Sequence, residues 1–239
     1  MPTSPEGFQR RIDDLRRELV AQGGRVLAVL ETAFDAFLAR DGAKSPAIDG
    51  ADSEIDRVDV EIERAAVALL TDATREGAHL DATQLRHILT IVKVNNELER
   101  VADVGVAIGE CVARLPGAPG VFPPTLRVMT NSVLGIVRDA NLAVEHTDAR
   151  MARVVLQSED AVAAFKAALL RGAEEQIAAG KMTVDFAFNI HELATRCEDI
   201  ADHCTNIAEQ ILYVATGTIM RHMEGHWVEI PPAGESASS

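Results

Sequence analysis

Apolar residues recur along this chain of 239 residues at spacings of three and four, which is the pattern of amphipathic helices. The long periodic stretches are interrupted by clusters of Gly, Pro and Asp, which favour turns. Minor breaks are expected at 41–50, 76–77 and 180. The pattern therefore indicates an all-α protein. It predicts helices near 7–40, 52–75, 80–113, 125–156, 159–179 and 182–222.

The strongest interruption is the segment LPGAPGVFPP at 115–124, which holds four of the nine prolines. Proline removes a backbone donor and clashes with the preceding turn, so no helix continues through this segment. It divides the chain into 7–114 and 125–222, each with three predicted helices, and is expected to be a linker. Residues 223–239 end in PPAGESASS and are predicted to form a disordered tail.

The third predicted helices of the two halves share a sequence pattern. A shift of 99 residues places ERVADVGVAIGE, which begins at Glu99, on EDIADHCTNIAE, which begins at Glu198. Asp103 then coincides with Asp202, and several apolar positions coincide beside these acids. A pattern repeated at a fixed distance indicates duplication of a structural unit. The sequence therefore predicts two similar three-helix bundles in tandem.

Composition and charge narrow the class of protein. Hydrophobic residues make up 47% of the chain and aromatic residues only 4%, which favours helices packed through small side chains. The formal net charge of −14 argues against nucleic acid or an anionic membrane as a partner. No apolar run reaches the ~18 residues of a membrane span. We therefore expect a cytoplasmic protein without direct membrane insertion.

Glu99 with Asp103, and Glu198 with Asp202, are pairs of acids four residues apart on predicted helices. Residues at this spacing stack on one helix face about 6 Å apart, and like charges there repel. A Mg, Mn, Ca or ferric ion between the carboxylates would relieve the repulsion, and such ions prefer oxygen ligands. The pairs are therefore candidate metal ligands. The alternative, an ordinary solvated helix face, stays open.

Further ligands would have to come from a neighbouring helix. In the first half the candidates are Asp52 and Asp56, again four apart. In the second half the candidate is Glu159, while Ala163 stands where a second acid is expected. The first bundle thus has the fuller ligand set. His203, next to the second pair, is interpreted as a polar edge residue and not as a ligand.

Sequence signatures of catalysis are missing. The chain contains no P-loop, no GxGxxG, no GxSxG and no HExxH motif. No nucleophile with a neighbouring base stands out either. We therefore predict a protein that is not an enzyme, with no catalytic and no cofactor-binding residues. A metal on the carboxylates is the only cofactor that the sequence suggests.

Two segments resemble the PhoU family. The segment EDIADHCTNIAEQILYVATG at 198–217 is similar to the family signature, roughly E-R-I-G-D-H-A-x-N-I-A-E followed by an apolar turn and T-G. In the first half, LERVAD at 98–103 resembles the same motif. QLRHILTIVKVNNELER at 84–100 resembles the run of residues that leads to this motif in the family. The first motif departs from the signature at 104–107, where the family prefers His and Asn.

The resemblance implies a function in phosphate uptake and phosphate-responsive signalling. Proteins of this family are expected to link the ATPase subunit of the phosphate ABC transporter to a sensor histidine kinase. They hold the phosphate-starvation response off when phosphate is plentiful. Many are expected to form homodimers, and some to bind metal through the acids named above. Two alternatives stay open, a metal-dependent effector and a helical scaffold for another transporter.

Overall fold

The computed structural model describes residues 5–112, 115, 120–223 and 226–230, with only the backbone described at 5 and at 221–230. Within these residues six long helices are followed by one antiparallel hairpin, and a short 3₁₀ turn joins the first two helices. The predicted all-α class is confirmed. The elements are α1 Pro5–Ala39, α2 Ser45–Glu76, α3 Ala82–Val112, α4 Pro124–His146, α5 Ala149–Ala178, α6 Val184–Thr216, β1 Ile219–Met223 and β2 His226–Ile230.

The helices form two three-helix bundles that pack side by side. Helices α1, α2 and α3 make the first bundle, and α4, α5 and α6 make the second. The bundles meet where α1 packs on α4 and where α3 packs on α6. Among the described elements, α2 and α5 touch no helix of the other bundle, so they lie on the outside. Buried apolar residues of both bundles form one continuous core, which makes the two repeats a single folded body.

Two glycines let helices approach α1 closely. A Cβ atom on Gly105 of α3 would lie 2.9 Å from Cγ1 of Val29, and one on Gly23 of α1 would lie 2.2 Å from Oδ1 of Asn141. Asn141 Nδ2 donates a hydrogen bond to the backbone oxygen of Val20 at 3.1 Å. A side chain at Gly23 would displace the Asn141 side chain and its hydrogen bond, and a side chain at Gly105 would press on Val29 and Leu30 of α1.

An aromatic stack holds the linker between the bundles. The Phe122 ring lies 5.4 Å from the Phe37 ring and 5.0 Å from the Phe186 ring, measured between centroids. The Arg40 guanidinium lies 4.9 Å from the centroids of both Phe122 and Phe186. Its Nη2 also donates to the backbone oxygen of Gly120 at 2.6 Å. Stacking and cation–π attraction thus join the end of α1 to the start of α6.

Three of the predicted helix boundaries inside the bundles were wrong, namely the start of α2, the end of α4 and the start of α5. Helix α2 begins at Ser45 and not near 52, because Pro46 lies in its first turn, where a missing N–H costs no hydrogen bond. The break predicted after 156 falls earlier, between His146 and Ala149. The Asp148 side chain caps α5 by accepting hydrogen bonds from backbone N–H groups of its first turn.

The end of the chain also differs from the prediction. The last helix ends at Thr216 and not at 222, because Gly217 adopts a φ of 76° and closes the helix. Strands follow at 219–223 and 226–230, where the sequence predicted more helix and a disordered tail from 223. Two short runs separated by two residues that include Gly are a hairpin signal. Residues 231–239 of the expected tail lie outside the described residues.

Candidate functional site

The structure brings the four candidate residues of the first bundle together on α2 and α3. They form a group with one further acid, which we name the first acidic cluster. Its members lie close enough for their charges to act on one another. The cluster consists of Asp52, Asp56 and Asp59 on α2 and of Glu99 and Asp103 on α3.

Burial and mutual repulsion perturb the acids of this cluster. Partial burial, followed by the charges of Asp56 and Asp103, raises the pKa of Asp52. Partial burial, followed by the charges of Asp103 and Asp59, raises the pKa of Glu99. Arg100 opposes the shift of Glu99 but is the smallest contributor. The cluster is therefore an accumulation of negative charge that the nearby basic side chain compensates poorly.

Two side chains of the cluster differ in how they are satisfied. Asp59 Oδ1 accepts a hydrogen bond of 2.7 Å from Nδ2 of Asn95, which fixes its position between α2 and α3. The Oδ1 atom of Asp52 is buried and has no hydrogen-bond partner. A buried carboxylate oxygen without a partner is costly, so it favours a proton or a cation. This atom is the feature that best fits a metal ligand.

Across the described part of the chain, no three His, Cys, Asp or Glu side chains are arranged closely enough to hold a metal ion. Asp56 and Asp103, however, are exposed. Their side chains can therefore turn toward Asp52 without repacking the core. A cation in this cluster would require such a reorientation.

The second acidic cluster consists of Glu198, Asp199 and Asp202 on α6, and it is organised differently. Lys166 of α5 forms an ion pair with Glu198 that is only partly exposed to solvent. Burial, followed by the charges of Asp199 and Glu198, raises the pKa of Asp202, while His203 and Lys166 act in the opposite direction. The Lys166 ammonium group therefore supplies a positive charge at this cluster. The second acidic cluster thus fits a metal site less well than the first.

A shift of 107 residues between α2 and α5 explains this difference. It places Asp52 on Glu159 and Asp59 on Lys166. Glu159 is partly buried on α5, but it is not among the charges that act on Asp202. The structure therefore brings Glu198 and Asp202 together with Lys166.

The next residues of the second motif join the two bundles. His203 Nδ1 lies 2.8 Å from Oε2 of Glu97 on α3, and Asn206 Nδ2 donates to the same oxygen at 3.2 Å. Burial raises the pKa of Glu97, but the hydrogen bonds from His203 and Asn206 outweigh it and leave the pKa below its ordinary value. His203 was predicted to be a polar edge residue, and the structure gives it a partner in the other bundle.

Four residues of these sites were missed from the sequence. Asp199 directly follows Glu198 in the second motif. Asp59 follows Asp52 by seven residues and Lys166 follows Glu159 by seven, a spacing that keeps residues on one helix face. A search for charged residues seven positions further along each helix would have found both. Glu97 had no such signal, because its partners lie on α6 of the other bundle.

The fold and the two clusters define a class, namely an all-α protein of two duplicated three-helix bundles with an E-x-x-x-D pair in the third helix of each. None of the helices in the described residues combines the length and the apolar character needed to cross a membrane.

The comparison with protein families identifies this class. The family model of the PhoU domain matches residues 11–112 and 126–211, one match in each bundle. The chain therefore belongs to the PhoU family, and the resemblance seen in its motifs is confirmed.

Relatives of known name are similar over nearly the whole chain. The phosphate-specific transport system accessory protein PhoU homolog 1 of Thermotoga maritima is 26% identical over 216 residues, which cover 90% of this chain and 91% of the relative. The phosphate-specific transport system accessory protein PhoU homolog of Pseudomonas aeruginosa is 27% identical over 218 residues, which cover 90% of this chain and 88% of the relative. The similarity thus includes both bundles and the linker.

Solved structures show the same fold. A crystal structure of PhoU from Pseudomonas aeruginosa superposes with a TM-score of 0.80 at 25% identity, covering 88% of this chain and all 100% of the other. The phosphate transport system regulatory protein PhoU from Streptococcus pneumoniae also gives a TM-score of 0.80, at 21% identity, covering 89% of this chain and 98% of the other. At this identity the second comparison supports the fold alone.

Proposed function

We propose that this chain is a non-catalytic accessory protein of a phosphate-specific transport system. It acts in the cytoplasm as an adaptor that links the transporter's ATPase subunit to a sensor histidine kinase and represses the phosphate-starvation response. The observation that carries the proposal is the similarity to curated phosphate-specific transport system accessory proteins, which extends over 90% of this chain in both relatives.

The architecture suits an adaptor. The two bundles share one continuous core, so they present their surfaces in a fixed relation. Helices α2 and α5 each lie outside the contact between the bundles, which leaves two separate outer faces. One body with two outer faces can hold two partners at once, and this is what linking a transporter to a kinase requires.

Deletion of the gene tests the repressor role. In phosphate-rich medium the deletion strain should show raised output from a phosphate-starvation reporter, and the full chain supplied in trans should restore repression. A variant with Gly105→Leu, which should force α3 from α1, provides a matched loss-of-fold control. Unchanged reporter output together with unchanged phosphate uptake would contradict the proposal.

A pull-down with the full chain separates the adaptor from a scaffold for another transporter. We expect recovery of both the phosphate transporter ATPase and a histidine kinase. Recovery of a different transporter ATPase, with neither of these, would replace the proposal by the scaffold function.

A second candidate function is metal binding at the first acidic cluster, and we propose it for that cluster alone. The unpartnered Oδ1 of Asp52 favours it, as do the raised pKa values of Asp52, Asp59 and Glu99. Asp52, Asp56, Glu99 and Asp103 would hold a divalent or ferric ion through carboxylate oxygens, the ligands that such ions prefer. The bound charge would relieve the repulsion between α2 and α3.

Elemental analysis of the purified protein tests this candidate. We expect at least about one bound ion per chain in the wild type. The double variant Asp52→Asn, Glu99→Gln should lose that metal. The matched control, Glu198→Gln with Asp202→Asn, should keep its metal. Equal metal content in all three proteins would show that the first acidic cluster is not the site.

A further inference from the structure

A pocket lies beside the linker that joins the two bundles. It is lined by the end of α1, by the linker residues 120–123 and by the first turns of α4. Its volume is about 600 Å³, which falls within the ~300–1,000 Å³ of typical small-molecule sites. The pocket is therefore large enough to hold a small molecule at the junction of the bundles.

Much of the lining of this pocket is apolar. Phe122 and the two prolines that follow it contribute to the lining, as do Val121 and Val128. Val121 is 86% exposed and Val128 is 50% exposed. Large apolar side chains that are exposed next to one another are typical of interaction sites. A molecule that fits this pocket therefore has an apolar part.

The charged side chains in the lining are both basic. They are Arg40 and Arg127, and none of the described residues that line the pocket is acidic. The chain as a whole has 37 acidic residues and a formal net charge of −14, but no acid occurs between Glu110 and Asp139. A cleft lined by charge of one sign attracts ligands of the opposite sign. The pocket therefore favours an anion.

Two acids lie near the basic residues along the chain, but neither lines the pocket. Asp41 follows Arg40, and its side chain accepts a hydrogen bond of 3.1 Å from the backbone N–H of Ala43. Asp35 is exposed on α1, where water surrounds it. Solvent screens the charge of such a side chain, so the positive charge of the lining is retained.

Contacts with neutral groups fix the position of Arg40 before any ligand binds. Its guanidinium lies against the rings of Phe122 and Phe186 and donates to the backbone oxygen of Gly120. None of these contacts cancels its charge. A group that is already ordered loses little conformational entropy on binding. Arg40 therefore supplies a fixed positive charge at one side of the pocket.

We propose that this pocket binds a small organic anion, namely a molecule with an apolar ring or chain and one phosphate, sulfonate or carboxylate group. The apolar part contacts Phe122 and Val128. The anionic group accepts hydrogen bonds from the guanidinium of Arg127, whose planar fork of donors matches such groups, and is attracted by Arg40. Asn131 adds an amide donor from the next turn of α4.

This inference is independent of the adaptor function, because it rests on the lining of the pocket alone. A neighbouring cavity of about 500 Å³ shares residues 120–124 of the linker and the start of α4 with it, but has Lys181 as its charged residue. Removing each basic side chain separately therefore shows which of the two cavities an anion enters.

Isothermal titration calorimetry of the full chain with 1-naphthyl phosphate tests the site. This probe joins an apolar ring system to a phosphate group, and we expect it to bind at one saturable site. Inorganic phosphate lacks the rings, and 1-naphthol lacks the charge. Each should bind about tenfold more weakly than the probe or not at all, because each loses one of the two kinds of contact.

Substitutions on α4 separate a built site from general attraction of anions. Arg127→Gln should weaken binding of 1-naphthyl phosphate about fivefold or more, because it removes a charged donor. Arg138→Gln is the matched control on the same helix, since Arg138 is ion-paired with Glu31 and does not line the pocket. It should leave the affinity unchanged. Val128→Ser should weaken binding about threefold through the lost apolar contact.

The fold should not change in these experiments, because Arg127 and Val128 are exposed. Circular dichroism and thermal unfolding of both variants should therefore match those of the wild type. No saturable binding of 1-naphthyl phosphate, equally tight binding of inorganic phosphate, or equal loss of affinity in Arg127→Gln and Arg138→Gln would each overturn the proposal. A loss in Lys181→Gln without one in Arg127→Gln would place the probe in the neighbouring cavity and would overturn it as well.

Discussion

In the second bundle Lys166 of α5 forms an ion pair with Glu198, whereas the corresponding place in the first bundle holds Asp59, which is a further acid. The third helices of the two bundles carry the same E-x-x-x-D pair. The difference lies on the neighbouring helix, which supplies a cation in one bundle and more negative charge in the other. Duplication therefore preserved the acid pair, while the facing helix decides how its charge is balanced.

This difference has a consequence for stability. A carboxylate pair with its own lysine needs nothing from solution, but a pair that faces other acids is relieved only by protons or by a bound cation. The ion pair between Lys166 and Glu198 should therefore stabilise the fold at neutral pH in the absence of metal, although the raised pKa of Asp202 means that the charge of this residue still opposes folding. The first acidic cluster has no such ion pair and should destabilise the fold under the same conditions.

The largest effect is expected from removing the cation of the second bundle. Lys166→Met leaves Glu198 without its ion-pair partner, and the two side chains of this pair are only 19% and 31% exposed. We expect a loss of about 2 kcal/mol in the free energy of unfolding, below the range for fully buried pairs. Urea unfolding of chelator-treated protein measures it. Arg57→Met, which removes the exposed pairs with Glu54 and Glu61, serves as control and should change the stability much less, because solvent screens exposed ion pairs.

The contact between the bundles should show the next largest effect. Glu97→Gln removes the charge that accepts hydrogen bonds from His203 and Asn206, in a pair that is 15% and 20% exposed. We expect a loss of about 1 kcal/mol at neutral pH. Differential scanning calorimetry should show a lower unfolding temperature. A variant as stable as the wild type would mean that this contact does not hold α3 to α6.

Glu99→Gln should have a smaller effect of the opposite sign. Glu99 lies two residues from Glu97 on α3, but its neighbours are the acids of the first cluster. Removing its charge relieves repulsion, so metal-free protein should gain about 0.5 kcal/mol of stability at neutral pH. The same urea titration compares the two glutamines directly. A loss of stability in both would show that the first cluster is already neutralised.

Glu97 and Glu99 should contribute to the pH dependence of stability with opposite signs. The pKa of Glu97 is lowered in the folded chain, so the stability it gives above its ordinary pKa is lost as the pH falls through the folded value. The pKa of Glu99 is raised, so the folded chain binds its proton more tightly and gains stability as the pH falls through that raised value. As the pH is lowered through the mildly acidic range, the unfolding temperature should fall less steeply for Glu97→Gln than for the wild type. It should fall more steeply for Glu99→Gln.

Much of the architecture could be predicted from the sequence, because helices and their amphipathic faces are local properties. Six helices, the two-bundle plan and the acid pairs all follow from spacings within a few turns, or from one repeat distance. The boundaries were less secure. Pro46 suggests the end of a helix in the sequence, but in the structure it lies in the first turn of α2. Asp148 begins α5 as its N-cap, although the apolar periodicity around it predicts a continuous helix.

The candidate site divides in the same way. The acids of the first bundle could be found from their spacing on single helices, and the structure brings Asp52, Asp56, Glu99 and Asp103 together. Their balance of charge depends on which residues face them from other helices. No spacing along the chain shows that Lys166 meets Glu198 or that Glu97 meets His203.

The sequence by itself thus determined the helices, the duplication and the family, since each of these is written in periodicity or in a continuous motif. Only the tertiary structure decided which acids are paired, which are left opposed and which hold the two bundles together. The physical reason is that the energy of a charge depends on distance and burial in space, and both are set by the packing of helices that are far apart in the chain.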